Sequence, residues 1–132
     1  MPKTSVLIPA RAESPANLQR TVANIYDNAS GDIEVLVGFD GPPYQDFQRP
    51  YKNLRTFRLP ETIGLKPLIN LLAGMARGRY LFKLDAHCAV APGFDETLAA
   101  DMEDNWVVMP RFYVLDGKTW EWQDERYYDF FT

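Results

Sequence analysis

Short apolar runs that alternate with longer segments of helical periodicity are the feature that most constrains this sequence. Residues 5–8, 33–39 and 80–84 are nearly continuous in apolar side chains, which is typical of strands buried on both faces of a parallel sheet. Between them, residues 15–28 and 67–76 carry apolar side chains at every third or fourth position, as helices that pack on a sheet do. This alternation predicts a three-layer α/β/α sandwich with a mostly parallel, Rossmann-like sheet.

Prolines and helix caps predict where these elements begin and end. Pro9 should end the first strand, because proline has no backbone N–H to donate to a neighbouring strand. Ser14 and Pro15 supply an N-cap and a first-turn proline for a helix that runs to about Asn28. The second helix should turn one apolar face to the core, because its large apolar residues recur at helical spacing. These residues are Leu68, Leu71, Leu72 and Met75.

The other segments predict short strands, loops and a third helix. Residues 54–59 alternate in polarity and predict an edge strand, whereas residues 44–53 predict a loop with at most one helical turn. The third helix should pack Phe94 against the sheet while its acidic residues face water. Those acids are Asp95, Glu96, Asp101 and Glu103. Residues 106–109 predict a further buried strand, and residues 112–115 predict a strand that leads into a turn.

Length and composition narrow the class of protein. The 132 residues suffice for one domain, and no apolar run approaches the roughly 20 residues that span a bilayer. The N-terminus lacks the pattern of a signal peptide, so a cytoplasmic protein is expected. The single cysteine, Cys88, excludes an internal disulfide. A nucleophilic role for this thiol competes with a structural one, and a small buried thiol is favoured.

Charge is unevenly distributed along the sequence, although the net charge is only −4. Between Arg49 and Lys83, eight basic residues stand against one acid, a net +7, whereas the segment from Asp85 onward carries a net −8. The basic segment suits an anionic ligand such as a diphosphate, and the negative total argues against non-specific binding of nucleic acid. For most of these basic residues individually, a solvated surface is an equal alternative.

Asp85 and His87 follow the predicted strand at residues 80–84, where open α/β sheets bind their ligands. In extended structure, positions i and i+2 face the same side, so a carboxylate oxygen and an imidazole nitrogen can bind one ion. This mixed pair suits a borderline divalent metal such as manganese better than calcium. The alternative is that the Asp-x-His pattern occurs here by chance.

Asp40 follows the second predicted strand and has two equally supported interpretations. An acid at this strand end is placed to accept hydrogen bonds from a ribose or a base. The sequence Asp-Gly-Pro is also a good opening for a turn, which would leave Asp40 with a purely local role.

Six segments carry, in this order, a resemblance to a known family. They are residues 5–13, 34–41, 64–70, 76–87, 92–98 and 107–110. Together they resemble the nucleotide-sugar-binding half of glycosyltransferases of the GT-A fold, in particular family 2 and the polypeptide N-acetylgalactosaminyltransferases. The resemblance covers nearly the whole chain. Phe39 is a departure, because that family usually has the first of two consecutive aspartates at this position.

The resemblance implies transfer of a sugar from a nucleotide-diphosphate sugar, UDP-linked, to an acceptor hydroxyl. It implies Mn²⁺ or Mg²⁺ as the cofactor, with Asp85 and His87 as the metal ligands. The residues that it implies around the donor nucleotide are Pro9, Ala10, Arg11, Glu13, Asp40, Lys66, Asp85 and Ala86. Residues 1–132 are expected to form a single donor-binding domain. Catalytic residues are not assigned, because the acceptor-binding segment of such enzymes is expected to be absent or minimal here.

Two other function classes stay open. The first is a non-catalytic nucleotide-binding or assembly module that self-associates or docks through aromatic side chains near the C-terminus. These are Trp120, Trp122, Tyr127, Tyr128, Phe130 and Phe131, in a segment, 119–132, that is expected to be an unfinished element. The second is a nucleotidyltransferase, which is disfavoured because no glycine-rich loop with a phosphate-binding lysine or arginine follows the first strand.

Overall fold

The computed structural model describes residues 2–100, 102–110 and 112–128, the side chains of Phe112, Val114 and residues 122–128 excepted. In these residues the chain forms six strands and three helices. They are β1 (Thr4–Ala10), α1 (Pro15–Asn28), β2 (Ile33–Phe39), β3 (Leu54–Arg58), α2 (Leu65–Met75), β4 (Tyr80–Lys83), α3 (Phe94–Ala100), β5 (Phe112–Leu115) and β6 (Trp122–Tyr128). No helix in this part of the chain is long and apolar enough to cross a membrane.

Four parallel strands form the main sheet, in the spatial order β3-β2-β1-β4. β1 pairs with β2 over all seven of its residues and with β4 over its first four. Parallel strands need crossover connections, and here α1 connects β1 to its neighbour β2, while α2 connects β3 to β4 on the far side of the sheet. β5 and β6 form a separate antiparallel pair. The mostly parallel sheet that the sequence predicts is therefore confirmed.

Helices cover both faces of the main sheet and complete the predicted three-layer sandwich. On one face, α1 and α3 pack on the buried side chains of β1 and β2. The helical residues in this contact are Leu18, Val22, Ile25 and Phe94. On the other face, Leu68 and Leu72 of α2 pack on the sheet. They approach it most closely at Gly38, where an added Cβ would lie 2.7 Å from Leu68 Cδ1, so the absence of a side chain there lets α2 settle on β2.

The prediction that Pro9 ends the first strand was wrong, because β1 continues through Pro9 to Ala10. The Leu7 carbonyl accepts a hydrogen bond from the Leu84 N–H (3.0 Å) on the β4 side of β1. Backbone groups alternate in direction along a strand, so the nitrogen of Pro9 faces the same side as Leu7. The pairing with β4 ends at Leu7, and no strand lies opposite Pro9 on that side in the described residues. The missing proline N–H therefore costs the sheet no hydrogen bond.

The prediction that the strand after Gly78 is an interior one was also wrong. β4 lies at the edge of the main sheet, and Leu81 is 52% exposed. Residues 106–109, which were expected to form a further buried strand, form none, and Val107 is 90% exposed. An apolar run indicates strand propensity, but it does not specify which segment pairs with it, and both errors have this cause.

The core face of α2 is narrower than its apolar spacing predicts. Leu68 and Leu72 are buried, as expected, but Leu71 and Met75 are exposed. The reason is that Leu68 and Leu72, above the glycine of β2, make most of the contact with the sheet, with the small side chain of Ala73 beside them. The helix also begins at Leu65, two residues earlier than expected.

Asp95 differs from its expected environment, because it is buried rather than facing water. Its two carboxylate oxygens accept hydrogen bonds from the backbone N–H groups of Ser30 and Gly31, each at 2.8 Å. Asp95 therefore holds the connection between α1 and β2. Ser14 occupies the predicted N-cap of α1, but its side chain makes no capping hydrogen bond. Asp101 lies outside the described residues.

The C-terminal part of the described chain has more structure than expected. The strand at Phe112–Leu115 is confirmed, and β6 forms where an unfinished element was predicted. Trp120 is half-buried, with the Arg20 guanidinium 5.6 Å from its ring centroid. Phe130 and Phe131 lie outside the described residues. Residues 44–53 form a loop, as expected, without a helical turn.

Candidate functional site

The loops that follow β1, β2 and β4 lie at the carboxyl edge of the main sheet, because parallel strands all end on the same side. These loops carry Glu13, Asp40 and residues 85–87. This is the edge at which open α/β sheets bind ligands.

Two polar side chains of α1 hold the backbone of the loop after β4. Thr21 Oγ1 lies 3.1 Å from the carbonyl oxygen of Ala86 and accepts a hydrogen bond from the Cys88 N–H, also at 3.1 Å. Asn24 Oδ1 accepts from the Val90 N–H at 2.6 Å. Thr21 and Asn24 were not predicted from the sequence, although a polar residue on the buried side of a helix signals a partner across the core.

The side chains of Asp85 and His87 are exposed, in contrast to the fixed backbone that carries them. Asp85 is 49% exposed and accepts a hydrogen bond on Oδ1 from Lys83 Nζ (2.6 Å). His87 is 57% exposed, and its Nδ1 lies 3.3 Å from Oε2 of Glu13. A carboxylate and an imidazole are thus both accessible to a ligand at this edge.

Cys88 follows this pair directly but has the character of a structural residue. It is half-buried, and burial, together with the nearby Asp85 carboxylate, raises the pKa of its thiol. A raised pKa keeps the sulfur protonated, whereas nucleophiles and metal ligands use the thiolate. The favoured structural interpretation of Cys88 agrees with this environment.

The chemistry of the donor set fits a divalent ion that is shared with a bound ligand. Among residues 2–100, 102–110 and 112–128, no group of three or more His, Cys, Asp or Glu side chains could hold a metal ion. Asp85 and His87 supply one oxygen and one nitrogen donor group, which suits a borderline divalent ion such as Mn²⁺. Such ions commonly complete their coordination with phosphate oxygens and water.

Asp40 has a structural role that neither of its two predicted interpretations included. It is buried, and its carboxylate oxygens accept hydrogen bonds from the N–H groups of Ile63 (2.7 Å) and Gly64 (3.1 Å). Gly64 has φ +96°, a conformation that favours glycine, and its carbonyl accepts the first helical hydrogen bond of α2, from Leu68. Asp40 therefore fixes the start of α2 at the carboxyl edge of the sheet.

The remaining predicted donor contacts lie at this same edge with different exposures. Ala10 is buried and Arg11 is exposed, while Pro9 is half-buried. Ala12, between Arg11 and Glu13, has φ +49°, and non-glycine residues in this region are found preferentially at functional sites. Lys66 is exposed in the first turn of α2.

Acidic partners neutralise much of the basic segment. Five of its eight basic side chains form ion pairs. The pairs are Arg49–Asp27, Arg55–Glu34, Arg58–Asp46, Arg79–Asp104 and Lys83–Asp85. Within the described part of the chain, no ion pair involves Lys66, so its ammonium is available to an anion at the carboxyl edge.

At the amino edge of the sheet, where the parallel strands begin, lies a buried carboxylate that was not predicted from the sequence. Glu34 Oε1 accepts hydrogen bonds from Ser5 Oγ and the Arg77 N–H, both at 2.6 Å, while Oε2 pairs with Arg55 at 3.0 Å. The Gly78 N–H donates to Ser5 Oγ at 2.8 Å. Burial alone would raise the pKa of Glu34, but the hydrogen bonds outweigh it and lower the pKa below its usual range.

The architecture is the Rossmann-like α/β sandwich of the GT-A type. The fold is shared with the crystal structure of GalNAc-T7 with UDP, GalNAc and Mn²⁺, with a TM-score of 0.59 and 24% sequence identity. That match covers 74% of this chain and 20% of the GalNAc-T7 chain, so this chain spans a small part of the larger protein's length.

The sequence defines the family. The model of glycosyl transferase family 2 matches residues 5–132, and the chain therefore belongs to that family. No curated protein matches the chain significantly.

Proposed function

We propose that this chain is the donor-binding portion of a metal-dependent glycosyltransferase. Its substrate would be a nucleotide-diphosphate sugar, UDP-linked, from which the sugar passes to an acceptor hydroxyl. The single observation that carries this proposal is the accessible pair Asp85 and His87 at the carboxyl edge of the sheet, on a backbone fixed by α1.

Asp85 and His87 would hold Mn²⁺ or Mg²⁺ in this proposal. When bound, the ion would neutralise the negative charge that develops on the departing nucleoside diphosphate. The presence of UDP and Mn²⁺ in the GalNAc-T7 crystal structure supports this assignment through the shared fold. Lys83 donates to Oδ1 of Asp85, so it would share this carboxylate with the ion or compete with it for Oδ1.

The other residues at the carboxyl edge would bind the nucleotide. Pro9, Ala10 and Arg11 would line the base at the end of β1, and Ala86 would contact the donor through its backbone. Lys66 would approach the base or the diphosphate from the first turn of α2. Asp40 would act on the base or ribose only in part, because its two oxygens already hold the start of α2.

We propose the whole chain as one donor-binding domain. No residue in it is assigned as a catalytic base or nucleophile. Inversion or retention at the anomeric carbon would be decided by groups contributed with the acceptor.

The test is calorimetric titration of UDP and UDP-sugars into the protein with Mn²⁺ and, separately, with a chelator. We expect Mn²⁺-dependent binding in the wild type and its loss in Asp85→Ala. Asp104→Ala, which removes an exposed aspartate of the same type away from the carboxyl edge, is the matched control and should bind as the wild type does. A folded wild type that binds no nucleotide under either condition would rule out the donor site and favour a non-catalytic assembly module.

A further inference from the structure

We propose that Glu13 is a positioning residue for His87. Its carboxylate would accept a hydrogen bond from Nδ1–H of the imidazole and so leave Nε2 as the nitrogen that can bind a metal ion. This inference rests on the proposed function, because it concerns a ligand of that metal site. It gives Glu13 a role different from the base contact that the family resemblance implies.

The geometry that carries the proposal is a contact between two loops far apart in sequence. Glu13 Oε2 lies 3.3 Å from His87 Nδ1, across 74 residues of chain. The Glu13 side chain is only 18% exposed, whereas that of His87 is 57% exposed. The carboxylate is thus the sheltered partner, and the imidazole extends from it toward solvent.

Both loops are held independently of this contact. The carbonyl oxygen of Glu13 accepts a hydrogen bond from Gln45 Nε2 at 2.9 Å, and the left-handed residue Ala12 bends the chain just before it. On the other side, Thr21 and the rest of α1 hold the backbone around His87. Because the backbones are fixed, removal of the Glu13 carboxylate should free the ring without moving the loops.

The chemistry explains what this contact would do. A neutral imidazole carries one proton, and only its unprotonated nitrogen can bind a metal ion. The hydrogen bond at one nitrogen determines which of the two is free, and a carboxylate acceptor at Nδ1 leaves Nε2 free. Carboxylates that orient metal-binding histidines in this way typically contribute about 10- to 100-fold to metal affinity.

The first measurement needs no metal and no nucleotide. His87 is the only histidine in the sequence, so the ring nitrogens of ¹⁵N-histidine-labelled protein give a single imidazole in the NMR spectrum. At a pH well above that of imidazole protonation, we expect the Nδ1–H tautomer in the wild type and a shift toward Nε2–H in Glu13→Ala. Glu103→Ala, which removes an exposed glutamate elsewhere, should leave the tautomer unchanged.

The second measurement is Mn²⁺ affinity in the presence of UDP, followed by the electron paramagnetic resonance of free Mn²⁺. We expect a loss of about 10- to 100-fold in Glu13→Ala and an intermediate loss in Glu13→Gln, whose amide oxygen can still accept the Nδ1–H bond. Amide spectra of each variant would show that the fold is retained.

Three outcomes would overturn the proposal. An unchanged tautomer in Glu13→Ala would show that the carboxylate does not set the ring. A loss of Mn²⁺ affinity without a tautomer change would make Glu13 a direct metal ligand instead. A wild type with the Nδ1–H tautomer but no Mn²⁺ binding would refute the proposed function, and the contact would then be a structural pair only.

Discussion

Acidic side chains have opposite environments at the amino edge of the main sheet, where the parallel strands begin, and at its carboxyl edge, where they end. At the amino edge, Glu34 is 3% exposed and satisfied by Ser5, Arg55 and the Arg77 N–H. At the carboxyl edge, Asp85 is half-exposed, and its carboxylate accepts a hydrogen bond from the long side chain of Lys83. The donors to Glu34 come from fixed parts of the fold, whereas the donor to Oδ1 of Asp85 is the end of a flexible, exposed side chain.

Asp40 sharpens this comparison, because it lies at the carboxyl edge and yet resembles Glu34. Its two oxygens are satisfied by backbone N–H groups of the loop before α2. Position at the carboxyl edge, where open α/β sheets generally bind ligands, is therefore not enough to identify a binding residue. Structural carboxylates are distinguished from those accessible to a ligand by their exposure and by the number of hydrogen bonds that they accept from fixed donors.

The largest expected effect is on stability, from Glu34→Ala. Removing this carboxylate leaves the Arg77 N–H and Ser5 without an acceptor and Arg55 without its counter-charge. We expect the free energy of unfolding, measured by urea denaturation, to fall by about 3 kcal/mol. A loss within about 0.5 kcal/mol, the range of surface substitutions, would contradict the structural role assigned to Glu34.

Asp40→Ala should have the next largest effect, a loss of about 2 kcal/mol, because two backbone N–H groups lose a buried acceptor. The amides of Ile63 and Gly64 should then exchange with solvent faster than in the wild type. Asp40→Asn keeps one acceptor oxygen and is the matched intermediate. Equal stability of Asp40→Ala and the wild type would contradict the structural role assigned to Asp40.

Acid should weaken the amino edge through Glu34. Because hydrogen bonds lower the pKa of Glu34 in the folded protein, its stabilisation is complete above the unfolded pKa and is lost as the pH falls through the folded value. Urea denaturation at a series of acidic pH values should therefore show a steeper loss of stability in the wild type than in Glu34→Gln. Parallel curves for the two proteins would indicate that Glu34 does not contribute this pH dependence.

The smallest effect on stability should come from Asp85→Ala. Its ion pair with Lys83 is exposed, and such pairs contribute about 0–1 kcal/mol, so we expect a change within about 0.5 kcal/mol. Thermal or urea denaturation measures this directly. A loss comparable to that of Glu34→Ala would mean that Asp85 is part of the folded framework and would remove the contrast between the two edges.

Most of the sheet and the helices could be predicted from the sequence, because the side chains that they bury are apolar and recur in a pattern typical of each element. β2 is apolar throughout most of its length and was predicted with its observed bounds, as was the end of α1. Pairing could not be predicted in the same way. The apolar run of β4 gave no sign that its outer side would be unpaired in the described residues.

Candidate site residues could be predicted only where their position next to a strand is visible in the sequence. Asp85 and His87 are predicted as metal ligands because they closely follow a strand, and this assignment stays a prediction. The structural roles of Glu34, Asp40 and Asp95 were not identified, because their backbone partners lie between 23 and 65 residues away. The contact between Glu13 and His87 could not be predicted for the same reason, since it forms only when the ends of β1 and β4 come together.

The most direct test of the contrast between the edges is paramagnetic broadening of amide signals by Mn²⁺ with UDP present. The two edges are separated by the length of β1, seven residues or about 20 Å, which is enough to distinguish them. We expect signals of residues 10–13 and 85–88 to broaden first, while those of residues 3–5, 32–34 and 77–80 persist. Broadening centred on the amino edge, or none at either edge in folded protein, would contradict the claim that the carboxyl edge is the metal and nucleotide site.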